Sequence, residues 1–225
     1  MEEIFSKAWE HFKQHWKFLC IVSAIGMLVP ALLITFTMMS SIAASSAMDS
    51  SAAATVAASS IGVSGFIAII VMVVATVGLM KASLLITNGG TPETRDLFLD
   101  FGTYLKGLAA LILCIIAASI GFALCIVPGI LIVFFTAFVP YEIIDNPNVG
   151  IIDAIKNSIN TIKSDWKTSA LIIILGGILV NVASYTGIGM IPAAPFLYLL
   201  YAVLYRQLKG QGSNATPQFN NPPTY

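Results

Sequence analysis

An all-α polytopic membrane protein, with six transmembrane helices in three hairpins and an amphipathic interfacial helix before each, is the fold class this sequence predicts. Three observations carry that expectation. Apolar residues fill 57% of the 225 positions and charged residues 10%, and mean hydropathy is +0.89. Soluble domains run to roughly 25% charged, so this chain has too little polar surface to coat a globule of its size. Four windows, 18–48, 50–80, 107–141 and 168–205, are free of charge over 31, 31, 35 and 38 residues. About 20 apolar residues cross a bilayer core as a helix, so each window holds at least one span and the last two hold two short ones. Finally, three aromatic or aliphatic stripes share one 4, 3, 4 spacing, and each stands before a hairpin.

Residues 1–17 place Phe5, Trp9, Phe12 and Trp16 on one helical face with Lys, Glu and His elsewhere. That pattern predicts a helix lying in the headgroup zone, with Trp9 and Trp16 as interfacial anchors. His11 and His15 read as two solvated side chains; as an i, i+4 metal pair they lack a third ligand nearby. The first span follows at about 18–39. Its apolar run from Phe18 to Met39 exceeds the 7–15 residues of a signal-peptide core, which argues for a retained span over a cleaved leader. Residues 40–60 contain eight Ala and eight Ser with one charge, Asp49. Ala favours helix, so this segment reads as an extension of its neighbours.

The second span covers about 61–87, and Lys81 near its far end has two readings: a side chain snorkelling to the interface, or a functional charge. Asn88, Gly89 and Gly90 end it, and Thr91 and Pro92 suit a helix start. Leu97, Phe101, Tyr104 and Leu108 then predict a second interfacial helix, about 92–104, with Tyr104 as an anchor. The third span, about 105–126, is expected to turn at Val127-Pro128-Gly129 into a short fourth, about 130–145. Asn146 is placed to cap a third interfacial helix, about 147–164, starting at Pro147. Its stripe is Ile155, Ile159, Ile162 and Trp166, with Trp166 as the anchor. Spans at about 168–187 and 190–207 follow, joined by Thr186-Gly187-Ile188-Gly189. The membrane domain thus covers 1–209. Residues 210–225 form a Pro/Asn/Gly-rich tail, expected to be disordered and cytoplasmic. The tail's last four residues, PPTY, match the Pro-Pro-x-Tyr pattern that WW domains read, a match short enough to arise by chance.

With the N-terminus inside, all eleven Lys and Arg fall on one side of a six-span arrangement. The positive-inside bias makes that side cytoplasmic and predicts a multi-pass protein of the cell membrane with both termini in the cytoplasm. A five- or seven-span arrangement would scatter the same charges. The repeat then reads as three copies of one unit, an interfacial helix and two antiparallel spans.

Charge is balanced at 11 basic and 11 acidic residues, so there is no nucleic-acid footprint. Cys20, Cys114 and Cys125 all lie in apolar windows without CxxC spacing, and read as small buried hydrophobes. Catalysis by hydrolases needs converging polar groups in a sheltered site, and the spans hold almost none. There is no HExxH, GxSxG, Walker loop or intramembrane Asp pair, so no enzymatic activity, cofactor or metal is expected. Lys81 and Glu142, each near the cytoplasmic end of its span, form a candidate structural ion pair, with a proton-coupled site as the other use. Tyr198, Tyr201 and Tyr205 step along one face of the sixth span. They read either as packing and an aromatic belt or, with Asn181 of the fifth span, as the lining of a lipid or solute groove.

Several motifs carry a family resemblance: VPGI (127–130), PYEIIDNP (140–147), AIKNS (154–158), DWK (165–167) and the closing Y-x-x-x-Y-R-x-L (201–208). Together they resemble the membrane domain attached to some prokaryotic glycerophosphoryl diester phosphodiesterases, and related small stand-alone integral proteins. The resemblance covers the C-terminal half by motif and the N-terminal half by architecture. It implies a polytopic protein of the cytoplasmic membrane. The phosphodiesterase chemistry of fused members belongs to a separate soluble domain with no counterpart here, so its catalytic residues map onto no position. The expected function is a non-enzymatic membrane scaffold or accessory subunit, whose partners are membrane lipids and a membrane or cytoplasmic protein. A carrier or channel for a lipid or small solute is the alternative.

Overall fold

A computed structural model describes residues 2–47, 50–94 and 101–212, with side chains over 2–43, 63–94 and 102–210. Among the described residues the chain folds into eight α-helices and no strand. They are α1 (Glu2–Ala47), α2 (Ser50–Thr87), α3 (Phe101–Leu124), α4 (Ile126–Phe135), α5 (Val139–Asp145), α6 (Ile151–Ser164), α7 (Trp166–Thr186) and α8 (Met190–Gly212). Among the described residues, five stretches are long and apolar enough to cross a membrane: Glu2–Ala43, Val63–Thr87, Gly102–Leu124, Ile126–Asp145 and Trp166–Thr186. The stretch expected as a sixth span, in α8, is not among them.

The first correction concerns the leader. It is no separate interfacial helix, because α1 runs unbroken for 46 residues. Before Gly26 the sequence has neither Gly nor Pro, so nothing stops the helix at Lys17. At 1.5 Å per residue α1 is about 69 Å long, roughly twice what a bilayer core requires. It packs along α2 through Gly26, whose missing side chain admits Ala75: a Cβ there would stand 2.5 Å from the Ala75 Cβ.

The end of α2 is as expected. Gly89 adopts a positive φ of 80°, its N–H donates to the Ile86 carbonyl at 3.0 Å, and the Gly90 N–H donates to Leu85 at 3.0 Å. These two bonds close the last helical turn. Of the second interfacial helix, expected over 92–104, residues 95–100 lie outside the described residues, 92–94 form no α-helix, and 101–104 already belong to α3.

In the next hairpin the break comes earlier than Val127-Pro128-Gly129. Cys125 alone is non-helical, and Pro128 sits in the first turn of α4, where a missing N–H costs little. The helices meet at two glycines: a Cβ on Gly121 would lie 3.0 Å from the Gly129 Cα. The fourth stretch is itself broken, at Thr136–Phe138. Asn146 does not cap a helix at Pro147; its side chain accepts from the Asn148 N–H at 3.3 Å in a local turn, and α6 starts at Ile151. On α6 the buried line is Ala154, Ser158 and Ile162, one position round from the expected stripe.

Asp165 is the single joint between α6 and α7, and its carboxylate accepts from the Thr168 N–H at 3.2 Å as the N-cap of α7. Gly187 with φ 64° turns α7 into α8, as the sequence predicts. Helix α8 lies at the centre, against α1, α2, α6 and α7. Leu199, Ala202, Leu204 and Tyr205 on it are fully buried. Prolines, tyrosines and terminal cations lower its apolar character, yet protein encloses it most.

Candidate functional site

Two features of the bundle stand out, an ionic cluster between α5 and α8 and an apolar groove between α1, α7 and α8. The cluster begins with helical spacing. Glu142 and Asp145 stand three apart on α5, and Tyr205 and Lys209 four apart on α8, so each pair shares a face. Glu142 is 3% exposed and Tyr205 is fully buried. Arg206 Nη2 donates to Asp145 Oδ1 at 2.6 Å, and Lys209 Nζ donates to the other oxygen, Oδ2, at 2.9 Å. Lys209 also reaches Glu142 Oε2 at 3.3 Å and the Tyr205 hydroxyl at 2.6 Å. That hydroxyl in turn donates to Asp145 Oδ2 at 3.2 Å. Two carboxylates thus meet two cations, and the cluster is neutral.

An aromatic stack supports it from beneath. The Tyr141 and Tyr205 rings stack 5.9 Å apart at an angle of 29°, Phe138 packs against Tyr205 at 5.8 Å, and the Tyr141 hydroxyl donates to the Tyr198 carbonyl at 3.0 Å. Behind this stack, Ser158 of α6 bridges the break in the fourth stretch. Its hydroxyl donates to the Phe135 carbonyl at 2.7 Å and accepts from the Phe138 N–H at 3.2 Å. Backbone groups released by a helix break need such partners where no water reaches them.

The groove has a volume of about 730 Å³. Its floor is made of small residues, among them Gly176, Ala183, Gly189 and Ala193, and one flank of Phe5, Trp9, Phe12 and Phe196. Phe196 meets the first three rings at 5.5, 5.8 and 5.6 Å, edge to face. The aromatic stripe of the leader is therefore packed on α8. Thr186 brings the one side-chain hydroxyl, which donates to Ala183 O at 2.9 Å and accepts from the Gly189 N–H at 3.2 Å.

The residues singled out in the sequence are distributed unevenly over these features. Glu142 does enter an ion pair, but the cation at its carboxylate is Lys209 rather than Lys81. Tyr205 joins the cluster. Tyr201 donates weakly to the Ile173 carbonyl at 3.4 Å, between α8 and α7, and Tyr198 supplies its carbonyl to Tyr141. None of the three tyrosines lines the groove, nor does Asn181, which is exposed and donates to Gly177 O at 3.4 Å. Of the expected anchors, Trp16 and Trp166 are 50% and 60% exposed, Trp9 is 46% exposed and lines the groove, and Tyr104 is half-buried. Cys125, expected to be buried, is exposed at the α3–α4 joint.

Sequence reasoning missed Asp145, Arg206 and Lys209 as a cluster because it counted the cations only toward topology. The signal was present: two carboxylates three apart close one apolar run, and Y-R-x-x-K closes another. Among the described residues no three His, Cys, Asp or Glu side chains gather as metal ligands. Compared with family models, curated proteins and solved structures, the chain matches none.

Proposed function

We propose that this protein is a non-enzymatic scaffold or accessory subunit of the cell membrane. In this reading the chain crosses six times, with α8 as the last crossing and both termini in the cytoplasm. One observation carries the reading: the charges of α5 and α8 pair with one another across the bundle, with only the buried Arg206 Nε left without a partner. A carrier instead directs such groups into a cavity. The resemblance to phosphodiesterase-linked membrane domains agrees, since there the chemistry resides in a separate soluble part. Partner contacts fall to the amphipathic α6, whose outer residue Ile152 is 65% exposed.

Cysteine labelling tests this. In a background with Cys20, Cys114 and Cys125 replaced by Ser, single cysteines at Leu175, Ile178 and Val182 should resist a membrane-impermeant maleimide. Labelling of all three would establish a wet path and defeat the scaffold reading. A partner that co-purifies with the wild type should also be lost in Ile152→Glu with helical content intact. The second reading, a lipid carrier, is favoured by the apolar groove and predicts lipid transfer between vesicles.

A further inference from the structure

Burial changes abruptly at the break in the fourth stretch. From Tyr104 to Phe135, nearly all of α3 and the whole of α4, only Ala110, Gly121 and Gly129 are buried. On the α5 side Phe138, Val139, Tyr141, Glu142 and Ile143 all are. We infer that α3 and α4 swing as one rigid hairpin, with the break at Thr136–Phe138 as the hinge.

The hairpin is held together from within. Its two buried glycines face its own helices: Gly121 meets Gly129 and Ile132, and the Phe122 ring covers Gly129. Backbones packed this closely leave the two helices little room to slide. Attachment to the rest of the bundle is confined to one end. There Thr103 is buried, Ala110 joins Val139, Ile143 and Ala154 in one small cluster, and Lys106 Nζ donates to the Pro147 carbonyl at 2.6 Å. Beyond Ala110 no residue of α3 or α4 is buried outside the glycine contact. An element with so little burial against its surroundings is the part of a fold that moves at least cost.

At the hinge the helical ladder is interrupted. The Ala137 and Val139 N–H groups donate three residues back, to Phe134 and Thr136, at 3.3 and 3.1 Å. The Phe135 carbonyl and the Phe138 N–H go instead to Ser158, which thereby pins one side of the break to the other. Clefts flank the hairpin on both faces, one toward α5 at Val139 and one toward α6 at Ile155 and Ile159, and Cys114 and Thr136 line both. A swing toward α6 closes the second cleft and widens the first. From Ala110 to Leu124 the arm is about 21 Å long, so a rotation of about 10° carries its tip about 4 Å. A few residues at element ends suffice to absorb such a rotation between packed bodies. A movable arm serves a scaffold and a carrier alike, so its failure would leave the scaffold reading standing.

The test uses the full chain in phosphatidylcholine–phosphatidylglycerol nanodiscs, with Cys20, Cys114 and Cys125 replaced by Ser. Spin labels go on pairs of cysteines introduced at exposed positions: Ile116 with Ile178 across the hinge, Ile116 with Ile130 inside the hairpin, and Ile21 with Ile178 inside the bundle. Double electron–electron resonance should give a distance distribution about twofold wider for the first pair than for the other two. Ser158→Ala, which removes the pin, should widen the first distribution further and leave the Ile116–Ile130 pair unchanged. Equal widths for the three pairs would overturn the inference. A wide Ile116–Ile130 pair would do so too, since the hairpin would then flex internally, and a wide Ile21–Ile178 pair would move the motion into the bundle. No response to Ser158→Ala would place the hinge elsewhere and defeat it as well. Should Ser158→Ala lose its helical signal, the three pairs with the hinge intact still decide the matter.

Discussion

Lys209 bonds three oxygens at once, on Glu142, Asp145 and Tyr205, and no other side chain of the cluster does so. Asp145 keeps Arg206 when Lys209 is removed, but Glu142 at 3% exposure is left with a buried charge. Leaving a buried acceptor without its donor costs about 1–3 kcal/mol, short of the full penalty of a buried pair because Lys209 is 40% exposed, whereas replacing both sides is close to neutral. Lys209→Met should therefore lower stability by about that amount, and Glu142→Gln combined with Lys209→Met should recover most of it. Thermal unfolding of the four proteins in one detergent measures this, and simple additivity of the single losses would refute the coupling. Ser158 gives the second prediction at this scale. Ser158→Ala leaves both Phe135 C=O and Phe138 N–H without their partner, at about 1–3 kcal/mol each. Ser158→Thr, which keeps a hydroxyl, should lose less. If Ala and Thr are equal in loss, the hydroxyl is not what holds the break. Neither residue was legible as a site from sequence. Ser158 looks like an ordinary polar position on an amphipathic helix, and only the tertiary placement of α6 against the break gives its hydroxyl two backbone partners.

Among the elements, those stopped by local chemistry were legible and those shaped by packing were not. The Asn88-Gly89-Gly90 end of α2 and the Gly187 turn follow from backbone conformations that glycine alone adopts cheaply. The break between α4 and α5, and the fusion of the leader into α1, depend on neighbours that a linear pattern does not name. The stripe 155, 159, 162, 166 missed the buried face of α6 because it counted large residues. Close packing there selects Ala154 and Ser158 instead. The α6–α7 joint carries its own prediction. Hydrogen bonds from the Thr168 hydroxyl and then its backbone N–H hold the Asp165 carboxyl below the usual carboxylate range. A depressed folded-state value stabilises above the unfolded pKa of about 3.9, and that contribution disappears as pH falls through the folded value. Asp165→Ala should thus cost about 0.5–2 kcal/mol near neutral pH. The gap between variant and wild type should close in acid; a gap that is constant with pH would assign the joint's stability to something other than the ionised cap.

For the molecule as a whole, the membrane class was legible from composition, because a chain with 10% charged residues has little polar surface to offer water, and its long apolar helices fit a bilayer. The number of crossings is the harder quantity, and it turns on α8. Hydropathy omits this helix, but hydropathy measures fitness for lipid, and α8 is surrounded by protein. Polar groups inside a membrane are tolerated when they face the bundle and find partners. Tyr205 and Lys209 meet both conditions against the end of α5, and Arg206 does so through Nη2, while its buried Nε has no partner. A crossing by α8 then puts the α7–α8 turn and the end of α8 on opposite sides of the membrane. An alkaline phosphatase fusion after Ile188 should be active and one after Gly212 inactive, with a cytosolic fluorescent reporter giving the reverse. Were both fusions to report the same side, α8 would be a buried helix that returns without crossing. The proposed six-crossing arrangement, which puts all Lys and Arg on one side, would then fail.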